Sequence, residues 1–378
     1  MTDKRPTVLI VQRLLPHYRV PFFRQLHERL HHDGIKLQLV YGTATEERGH
    51  AAAATWPWAT QVPVRSWRLG AHSVYVQNAW SHALAADLVV VEHAGALLLN
   101  YPLWLLQQIG RVRMVFWGHG RNFQATAQGR WQDRVKNLMA RRVHGWVAYT
   151  ELSVSCIKAY GVPPTRITNV QNAIDTTALR ATRSALRHED LERLRARLGI
   201  RSERVGVYIG RMYPEKRMPF LVSACHEVRK HVPDFEMVFI GEGEDDVCVR
   251  ESARAQAWMH HVEPQYGLAR VPYVMLGQVL MMPGLVGLAV LDAFALETPM
   301  ITVSDPRHGP EIHYLRHGEN GLCLAATTPA AYARSVAAVL TQPDYLKHLK
   351  DGCVASAQHY TLENMVERFS AAMRRALE

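Results

Sequence analysis

Short apolar runs alternate with longer amphipathic segments along the first 150 residues. The runs have the length and the β-branched or aromatic composition of strands: TVLIVQ, IKLQLVYG, DLVVVE, RMVFWG and GWVAYT. Segments of helix length separate them, such as VPFFRQLHERLHHDG and GRWQDRVKNLMARRV. This alternation predicts an α/β fold with a parallel, doubly wound sheet.

A second series of strand-like runs follows a polar, Arg-rich stretch at 180–204, and its members are VGVYIG, EMVFIG, QVLMMPG and PMITVS. A chain of 378 residues also exceeds the usual size of one domain. We therefore predict two Rossmann-like domains, at 1–178 and 205–355, joined by a linker at 179–204 and facing each other across a cleft. A C-terminal helix at 356–378 is expected to pack back on the first domain.

The composition is that of a globular protein, with 48% hydrophobic and 21% charged residues. Charged and polar residues interrupt every apolar stretch long enough to span a bilayer, and the N-terminus lacks the features of a signal peptide. The five cysteines are odd in number and scattered, which favours reduced thiols and a cytoplasmic location.

The basic excess lies entirely in the first half of the chain. Residues 1–180 contain 21 Lys and Arg against 10 Asp and Glu, whereas the remainder contains 23 against 24. Such an asymmetry indicates that the first half meets a polyanion, whether nucleic acid, pyrophosphate groups or an anionic membrane surface.

One carboxylate, Asp292, interrupts the apolar run that begins at residue 281. Burying a carboxylate without a partner costs several kcal/mol, so a polar partner is expected. The run also predicts a helix start at Gly287 and Leu288, where free amides and the helix dipole favour a phosphate. Asp292 would then lie roughly 7 to 8 Å along the helix axis from Gly287, about the length of a sugar ring.

Two cations follow a predicted strand in VYIGRMYPEKR, namely Arg211 and Lys216. At the carboxyl end of a parallel strand, two cations five residues apart are suited to a diphosphate, which Arg binds bidentately. A second strand ends in FIGEGED, where Gly241 permits close backbone approach. These segments together predict a phosphate-binding site in the second domain.

The order of these motifs resembles the family 4 retaining glycosyltransferases, which have the GT-B fold of two facing Rossmann-like domains and use nucleotide-sugar donors. In that family a Gly-Arg pair and a later Lys hold the donor diphosphate, which implies this role for Gly210, Arg211 and Lys216. DAFALETP resembles the end of the family's E-x7-E segment, so Asp292 is implied to bind the ribose hydroxyls.

Further matches support the resemblance: NAID at 172–175, GPEI at 309–312 and GENGLCL at 318–324. WGHG matches the loop that carries an active-site histidine, which implies His119. The first strand-helix loop, PHYR, resembles the branch that builds bacterial surface polysaccharides. Its residues His17, Tyr18 and Arg19 are the expected acceptor-binding residues.

Three positions depart from the family pattern, and one of them is Glu263, which stands where relatives often have a glycine before the loop that contacts the base. Gly284 stands where the first acid of E-x7-E is expected, so backbone amides near Gly284, Gly287 and Leu288 are expected to replace a side-chain contact to the donor sugar. Glu297 stands where the family has a later glycine. These departures leave the sugar and the nucleotide open, with UDP and GDP as the expected carriers.

The implied reaction transfers the sugar with retention at its anomeric carbon, without a bound metal or other cofactor. Arg211 and Lys216 would stabilise the charge that grows on the leaving diphosphate. Two alternatives stay open. The first is a nucleotide-sugar epimerase of the same fold, which would be expected to carry more carboxylates in its first domain. The second is a nucleic-acid binder, which would interleave aromatic and basic residues on one exposed face.

The resemblance also implies an acceptor saccharide carried on a polyprenyl pyrophosphate, and hence a peripheral enzyme at the cytoplasmic leaflet of the plasma membrane. Two segments are the expected membrane contacts. VPFFRQLHERLHH combines Val20, Phe22, Phe23, Leu26 and Leu30 with Arg19, Arg24 and Arg29. GRWQDRVKNLMARR adds Arg130, Arg134, Lys136, Arg141 and Arg142. Each basic group near an anionic surface contributes about 1 kcal/mol.

Overall fold

The computed structural model describes residues 5–43, 56–69, 72–120 and 130–378. Contacts within the chain divide it into two compact units. Unit 1 comprises Met1–Ile174 together with Leu362–Glu378, and unit 2 comprises Asp175–Thr361.

Unit 1 alternates strands and helices along most of its length. Its strands are β1 (Thr7–Gln12), β2 (Lys36–Gly42), β3 (Ala59–Val62), β4 (Val64–Leu69), β5 (His72–Gln77), β6 (Leu88–Glu92), β7 (Met114–Gly118), β8 (Gly145–Ala148) and β9 (Ile167–Asn169). Its helices before residue 174 are α1 (Val20–His32), α2 (Trp80–Ala85), α3 (Asn100–Gln108), α4 (Arg130–Arg142) and α5 (Glu151–Ala159).

Seven of these strands form one parallel sheet, in the order β3-β2-β1-β6-β7-β8-β9. The remaining two, β4 and β5, pair as an antiparallel hairpin. Strand order reverses between β1 and β6, which makes their carboxyl ends the switch point of unit 1. The predicted doubly wound parallel sheet is confirmed.

The apolar face of α1 belongs to the core of unit 1. Phe22, Phe23, Leu26 and Leu30 are completely buried, and Phe22 packs against Trp117 with ring centroids 5.5 Å apart. The expectation that this helix offers its apolar side chains to a membrane is therefore wrong. Burial of such side chains against a sheet contributes about 1.5 to 3 kcal/mol each, which membrane insertion would forfeit.

Unit 2 begins with two helices and continues as a second α/β series. Its strands are β10 (Val205–Ile209), β11 (Glu236–Ile240), β12 (Met259–Val262), β13 (Val279–Met281), β14 (Met300–Val303) and β15 (Gly321–Leu324). Its helices are α6 (Thr177–Ala185), α7 (His188–Leu198), α8 (Met218–His231), α9 (Asp246–Ala255), α10 (Arg270–Val274), α11 (Ala289–Ala295), α12 (Pro329–Thr341) and α13 (Pro343–His359).

The six strands of unit 2 form a parallel sheet in the order β12-β11-β10-β13-β14-β15. This is the strand order of a dinucleotide-binding fold, and it reverses between β10 and β13. The loops that follow these two strands are therefore where a ligand of unit 2 is expected.

The stretch expected to be a linker, 179–204, is instead helical and belongs to unit 2. It contains most of α6 and all of α7. The charged residues that suggested a linker are exposed or half-buried except Arg195, while Leu179 and Leu194 are buried. Gly199 ends α7 in a left-handed conformation, with φ of 76°.

The last helix, α14 (Leu362–Leu377), belongs to unit 1. Its Phe369 ring lies 5.3 Å from Phe22 and 5.0 Å from Trp117, measured between centroids. No helix in the described ranges has both the length and the apolar composition needed to cross a bilayer.

Candidate functional site

Two loops meet at the switch point of unit 2. The loop after β10 carries Gly210, Arg211 and Lys216, and the loop after β13 spans residues 282–288. The Lys216 ammonium donates a hydrogen bond to the carbonyl of Leu285, and the Leu285 amide donates to the Glu215 carbonyl over 3.0 Å. The structure therefore joins two segments that the sequence predicted to share one phosphate site.

The glycine at 284 is a packing requirement of this junction. A Cβ on Gly284 would overlap the Glu215 carbonyl and the Cα of Lys216. Gly241 is similar, because it has φ of 137° and a Cβ there would overlap the Gly210 carbonyl. A carboxylate side chain at 284 is therefore incompatible with this loop contact, which explains the departure from the family pattern.

Lys216 is a partly buried cation between the two loops. Burial lowers the pKa of its ammonium to about 8, and the nitrogen lies 5.4 Å from the centroid of the Tyr213 ring. A lysine in this state gains from any anion that replaces its lost hydration. It is thus suited to receive a phosphate group.

Arg211 is exposed beside it. The Tyr208 hydroxyl donates to the Arg211 carbonyl over 2.9 Å, which fixes the backbone of the loop. Within the described residues, the Arg211 guanidinium makes no hydrogen bond or ion pair. An exposed guanidinium on a fixed backbone is well placed to bind an anion bidentately.

Backbone amides before α11 differ in what they bind. The Val286 amide donates to Nδ1 of the buried His308 over 3.0 Å, and Nε2 of that ring lies 2.7 Å from the Val303 carbonyl. Burial lowers the pKa of His308, so the neutral ring accepts at one nitrogen and donates at the other. His308 was not predicted from the sequence, although it stands directly before the GPEI motif.

Gly287 and Leu288 follow as the residues nearest the predicted helix start, and α11 begins at Ala289. A Cβ at Gly287 would meet no atom within 4 Å. Their amides have no acceptor within the part of the chain that the structure describes. Open space beside two available amides agrees with the predicted donor contact.

Asp292 has a protein partner. Its Oδ1 accepts a hydrogen bond from Nη2 of Arg270 over 2.7 Å, and the two side chains are only 18% and 20% exposed. Burial raises the pKa of Asp292, and the charge of Arg270 opposes that shift. The polar partner expected for this carboxylate is thus Arg270, which the sequence analysis missed; the ribose role of Asp292 stays a prediction.

Glu297 occupies a backbone conformation that favours glycine, with φ of 53°. This explains why the related pattern has glycine there. Its carboxylate pairs with the Arg183 guanidinium of α6. An ion pair between α6 and the end of α11 therefore accompanies the strained backbone.

The acceptor prediction for PHYR needs a correction at Arg19. His17 and Tyr18 are exposed, but Arg19 is only 4% exposed. Its guanidinium donates to Asn172 Oδ1 over 2.5 Å and to the Ala173 carbonyl over 3.4 Å. Arg19 thus ties the loop after β1 to the end of unit 1, and a direct contact with an acceptor is left to His17 and Tyr18.

His119 directly follows β7. Its ring packs edge-on against Tyr149, with centroids 4.4 Å apart. The surrounding protein partly desolvates the ring and lowers the pKa of His119 to about 4, with a smaller effect from the Arg19 charge. Part of the residue is nevertheless exposed to solvent. The direction is what matters, because it makes the imidazole neutral at pH 7.

Two titratable residues at the end of β6 were not recognised from the sequence. Glu92 Oε1 accepts the Arg13 amide over 2.7 Å, and burial raises the pKa of this carboxyl. Burial, with smaller effects from Lys136 and His119, lowers the pKa of His93 to about 3. Both stand at the switch point of unit 1, and only the break of an apolar run by two polar residues could have indicated them.

Residues 203–342 match the family model described as Glycosyl transferases group 1. The chain is also 27% identical over 192 residues to a putative glycosyltransferase, EpsD, of Bacillus subtilis strain 168. That match covers 48% of this chain and 49% of the relative, so it spans about half the length of each. Residues 203–342 are therefore similar to a glycosyltransferase group 1 domain.

Two solved structures resemble the whole chain. Sucrose-phosphate synthase from Thermosynechococcus elongatus superposes with a TM-score of 0.71 and 14% sequence identity, and the match covers 98% of this chain and 99% of the synthase chain. HepE from Anabaena, crystallised with UDP, superposes with a TM-score of 0.67 and 12% identity, covering 98% and 100%. At this identity the likeness shows the fold, and the predicted GT-B fold is confirmed.

Proposed function

We propose that this protein is a retaining glycosyltransferase that moves a sugar from a UDP-sugar to a saccharide acceptor. The proposal rests chiefly on the junction at the switch point of unit 2, where Lys216 bonds to the carbonyl of Leu285 beside the exposed Arg211. It is supported by the match of residues 203–342 to glycosyltransferases. UDP is chosen because HepE, with the same fold, was crystallised with UDP and with UDP-glucose.

In the proposed reaction, an acceptor hydroxyl oxygen forms a bond to the anomeric carbon of the donor sugar. The bond from that carbon to the β-phosphate oxygen breaks, UDP leaves, and the hydroxyl proton passes to a phosphate oxygen of UDP. Arg211 and Lys216, with the amides of Gly287 and Leu288, stabilise the negative charge that develops on the diphosphate. No bound metal is required by this arrangement of cations.

Asp292 is proposed to bind the ribose hydroxyls while Arg270 holds its carboxylate in place. His119 is proposed to orient the reacting sugar through its neutral imidazole. His17 and Tyr18 are proposed to contact the acceptor. Retention rests on the family resemblance, and the anomeric proton coupling of the product measured by NMR tests it.

The nucleotide is tested by a thermal-shift panel of UDP, GDP, ADP and CMP. A ligand that binds only the folded state raises stability by RT ln(1 + [L]/Kd). UDP at 100 times its Kd is expected to stabilise the protein by about 2.7 kcal/mol. Stabilisation by GDP and not by UDP would overturn the choice of donor.

We further propose that the acceptor is carried on a polyprenyl pyrophosphate and that unit 1 docks on the cytoplasmic face of the membrane. Since the apolar face of α1 is buried, a different surface carries this proposal. An exposed apolar stripe at helical spacing runs along α3 and consists of Leu98, Tyr101, Leu105 and Ile109. Leu105 and Ile109 are 60% and 71% exposed.

Helix α4, whose Arg142 carbonyl accepts a hydrogen bond from Gln107 of α3, also carries exposed apolar side chains. Val135 and Leu138 are 37% and 43% exposed, and Arg141 and Arg142 follow at the exposed end of the helix. Among the other basic residues predicted for membrane contact, the side chains of Arg130 and Arg134 lie outside the described residues. Exposed aliphatic side chains beside arginines are suited to an anionic bilayer surface.

Sedimentation with vesicles tests this docking. Wild-type protein is expected to sediment with phosphatidylglycerol-containing vesicles at low salt and to be released at about 0.5 M NaCl because of charge screening. The variant Leu105→Glu/Ile109→Glu is expected not to bind these vesicles. The matched control is Leu84→Glu/Val247→Glu, which places the same charges at exposed apolar positions elsewhere. Equal loss in both variants would contradict docking through the α3 stripe.

A further inference from the structure

A cavity of about 570 Å³ lies in unit 1 at the amino ends of β7, β8 and β9. It is closed on one side by the end of α3, at Gln107, and on another by the last turns of α14. His119 follows the opposite, carboxyl end of β7. The cavity is therefore separate from the predicted reaction site in unit 1.

The side chains that line this cavity are strongly basic. Its lining contains four arginines and one histidine: Arg113, Arg142, Arg166, Arg375 and His144. No Asp or Glu is among the lining residues. The positive charges of Arg113 and Arg166 contribute, after burial, to lowering the pKa of His144, which places these cations close together. Four like charges around one cavity repel one another unless an anion is present.

Capping of helix ends accounts for only part of this cluster. Helices α4 and α14 end here, and cations near helix C-termini are favourable. Arg113 donates to the carbonyls of Ala376 and Leu377 at the end of α14. Arg375 donates to the Thr168 hydroxyl over 2.5 Å.

The other two arginines have no such partner. Within the described residues, the guanidinium groups of Arg142 and Arg166 make no hydrogen bond and no ion pair. The backbone at both arginines is held by hydrogen bonds, because the Gln107 side chain donates to the Arg142 carbonyl and the Arg166 amide donates to the Pro163 carbonyl over 2.9 Å. Both guanidiniums are exposed to solvent, and two such groups lining one cavity can bind a multivalent anion.

We propose that this cavity binds a phosphate-bearing ligand, held chiefly by Arg142 and Arg166 and assisted by Arg113 and Arg375. The bound anion would bridge α4, the start of β9 and the end of α14, and would stabilise unit 1. This site is independent of the proposed donor site, since it would exist whether or not the protein transfers sugars.

Anionic phosphate oxygens could come from two sources. One is a soluble diphosphate. The other is a phospholipid headgroup, because the exposed stripe of α3 ends at Ile109 and the next residue, Gly110, lines the cavity. The two sources are distinguished by competition, since only the second predicts that anionic vesicles displace a soluble phosphate.

The test is calorimetric titration with pyrophosphate of three forms of the full-length protein. These are wild type, the cavity variant Arg142→Gln/Arg166→Gln, and Arg211→Ala, which weakens the donor site. The matched control is Arg111→Gln/Lys158→Gln, which removes two exposed cations outside the cavity and therefore has the same net charge as the cavity variant. Circular dichroism checks that each variant is folded.

Arg211→Ala is expected to retain pyrophosphate binding at the cavity. The affinity of the cavity for pyrophosphate is expected to fall at least tenfold in the cavity variant and less than twofold in the control. Displacement of pyrophosphate by phosphatidylglycerol vesicles, but not by phosphatidylcholine vesicles, would assign the site to a lipid headgroup. Failure of displacement would assign it to a soluble phosphate. Pyrophosphate binding that disappears in Arg211→Ala, or that is unchanged in the cavity variant, would overturn the proposal.

Discussion

Nη2 of Arg270 lies 2.7 Å from Oδ1 of Asp292, and both side chains are about four-fifths buried. Arg270 opens α10 and Asp292 lies in α11, 22 residues later. A buried carboxylate in an apolar helix is thus balanced by a cation from a neighbouring helix. The same pair fixes the position of the Asp292 carboxylate, to which the ribose role is proposed.

Removing the cation alone should be more damaging than removing both charges. Arg270→Leu leaves Asp292 without its partner and is expected to destabilise the protein by roughly 2 to 4 kcal/mol, somewhat below the value for fully buried pairs. Arg270→Leu/Asp292→Leu is expected to recover more than half of that loss. Urea denaturation measures both, and a double variant as unstable as the single one would refute the pairing.

Asp292→Asn tests the proposed role of Asp292 in nucleotide binding. It keeps a hydrogen-bond acceptor for Arg270 but loses the charge that favours ribose hydroxyls. UDP affinity is expected to fall about tenfold, consistent with loss of one charge-assisted hydrogen bond. Unchanged affinity would remove Asp292 from the nucleotide site.

Glu297 offers a test of backbone strain. A non-glycine residue in the left-handed region costs about 1 to 2 kcal/mol. Glu297→Gly and Glu297→Gln both lose the ion pair with Arg183, but only the glycine relieves the strain. Thermal unfolding is expected to show Glu297→Gly more stable than Glu297→Gln by about 1 kcal/mol. The reverse order would mean that the backbone at 297 is not strained.

The sequence predicted the two doubly wound sheets because most of the buried strands are short apolar runs and segments of helix length separate them. It also predicted the loops after β10 and β13, since cations and glycines directly after strands are visible in one segment. It could not predict Arg270, His308 or the Glu92 contact with Arg13. These partners lie far apart in sequence, and only the packing of the elements brings them together.

Two predictions from the polarity pattern were wrong, one for α1 and one for residues 179–204. An apolar face beside arginines has the same pattern whether it meets a membrane or a sheet, and in α1 it meets the sheet. A charged segment has the same composition whether it is a linker or a surface helix. In α7 the buried Leu194 and the Gly199 cap decide for a helix.

The ionisation of Lys216 predicts a pH dependence of nucleotide binding. With its pKa lowered to about 8, the free ammonium is charged below pH 8 and neutral above it. Diphosphate binding requires the charged form, so UDP affinity should be constant from pH 6 to 7.5 and fall several-fold by pH 9. Lys216→Arg keeps its charge and should abolish this decline. A decline unchanged in Lys216→Arg would assign it to another group.

His119 is expected to act on the transfer step. Because its pKa is lowered to about 4, it stays neutral from pH 6 to 8 and should cause no change in kcat across that range. His119→Ala is expected to reduce kcat roughly 100-fold with little change in UDP affinity. Steady-state kinetics and calorimetry separate the two, and a change confined to affinity would make His119 a binding residue.

The most direct test of the donor site compares sugar transfer from a UDP-sugar by wild type, Arg211→Ala and Arg201→Ala. Arg201 is an exposed arginine before the amino end of β10, opposite the loop that carries Arg211. Loss of one preorganised contact to the leaving diphosphate is expected to reduce kcat/KM by about 100 to 1,000-fold in Arg211→Ala. Arg201→Ala should remain within twofold of wild type. Turnover by Arg211→Ala within threefold of wild type would contradict the assignment of this loop to the donor diphosphate.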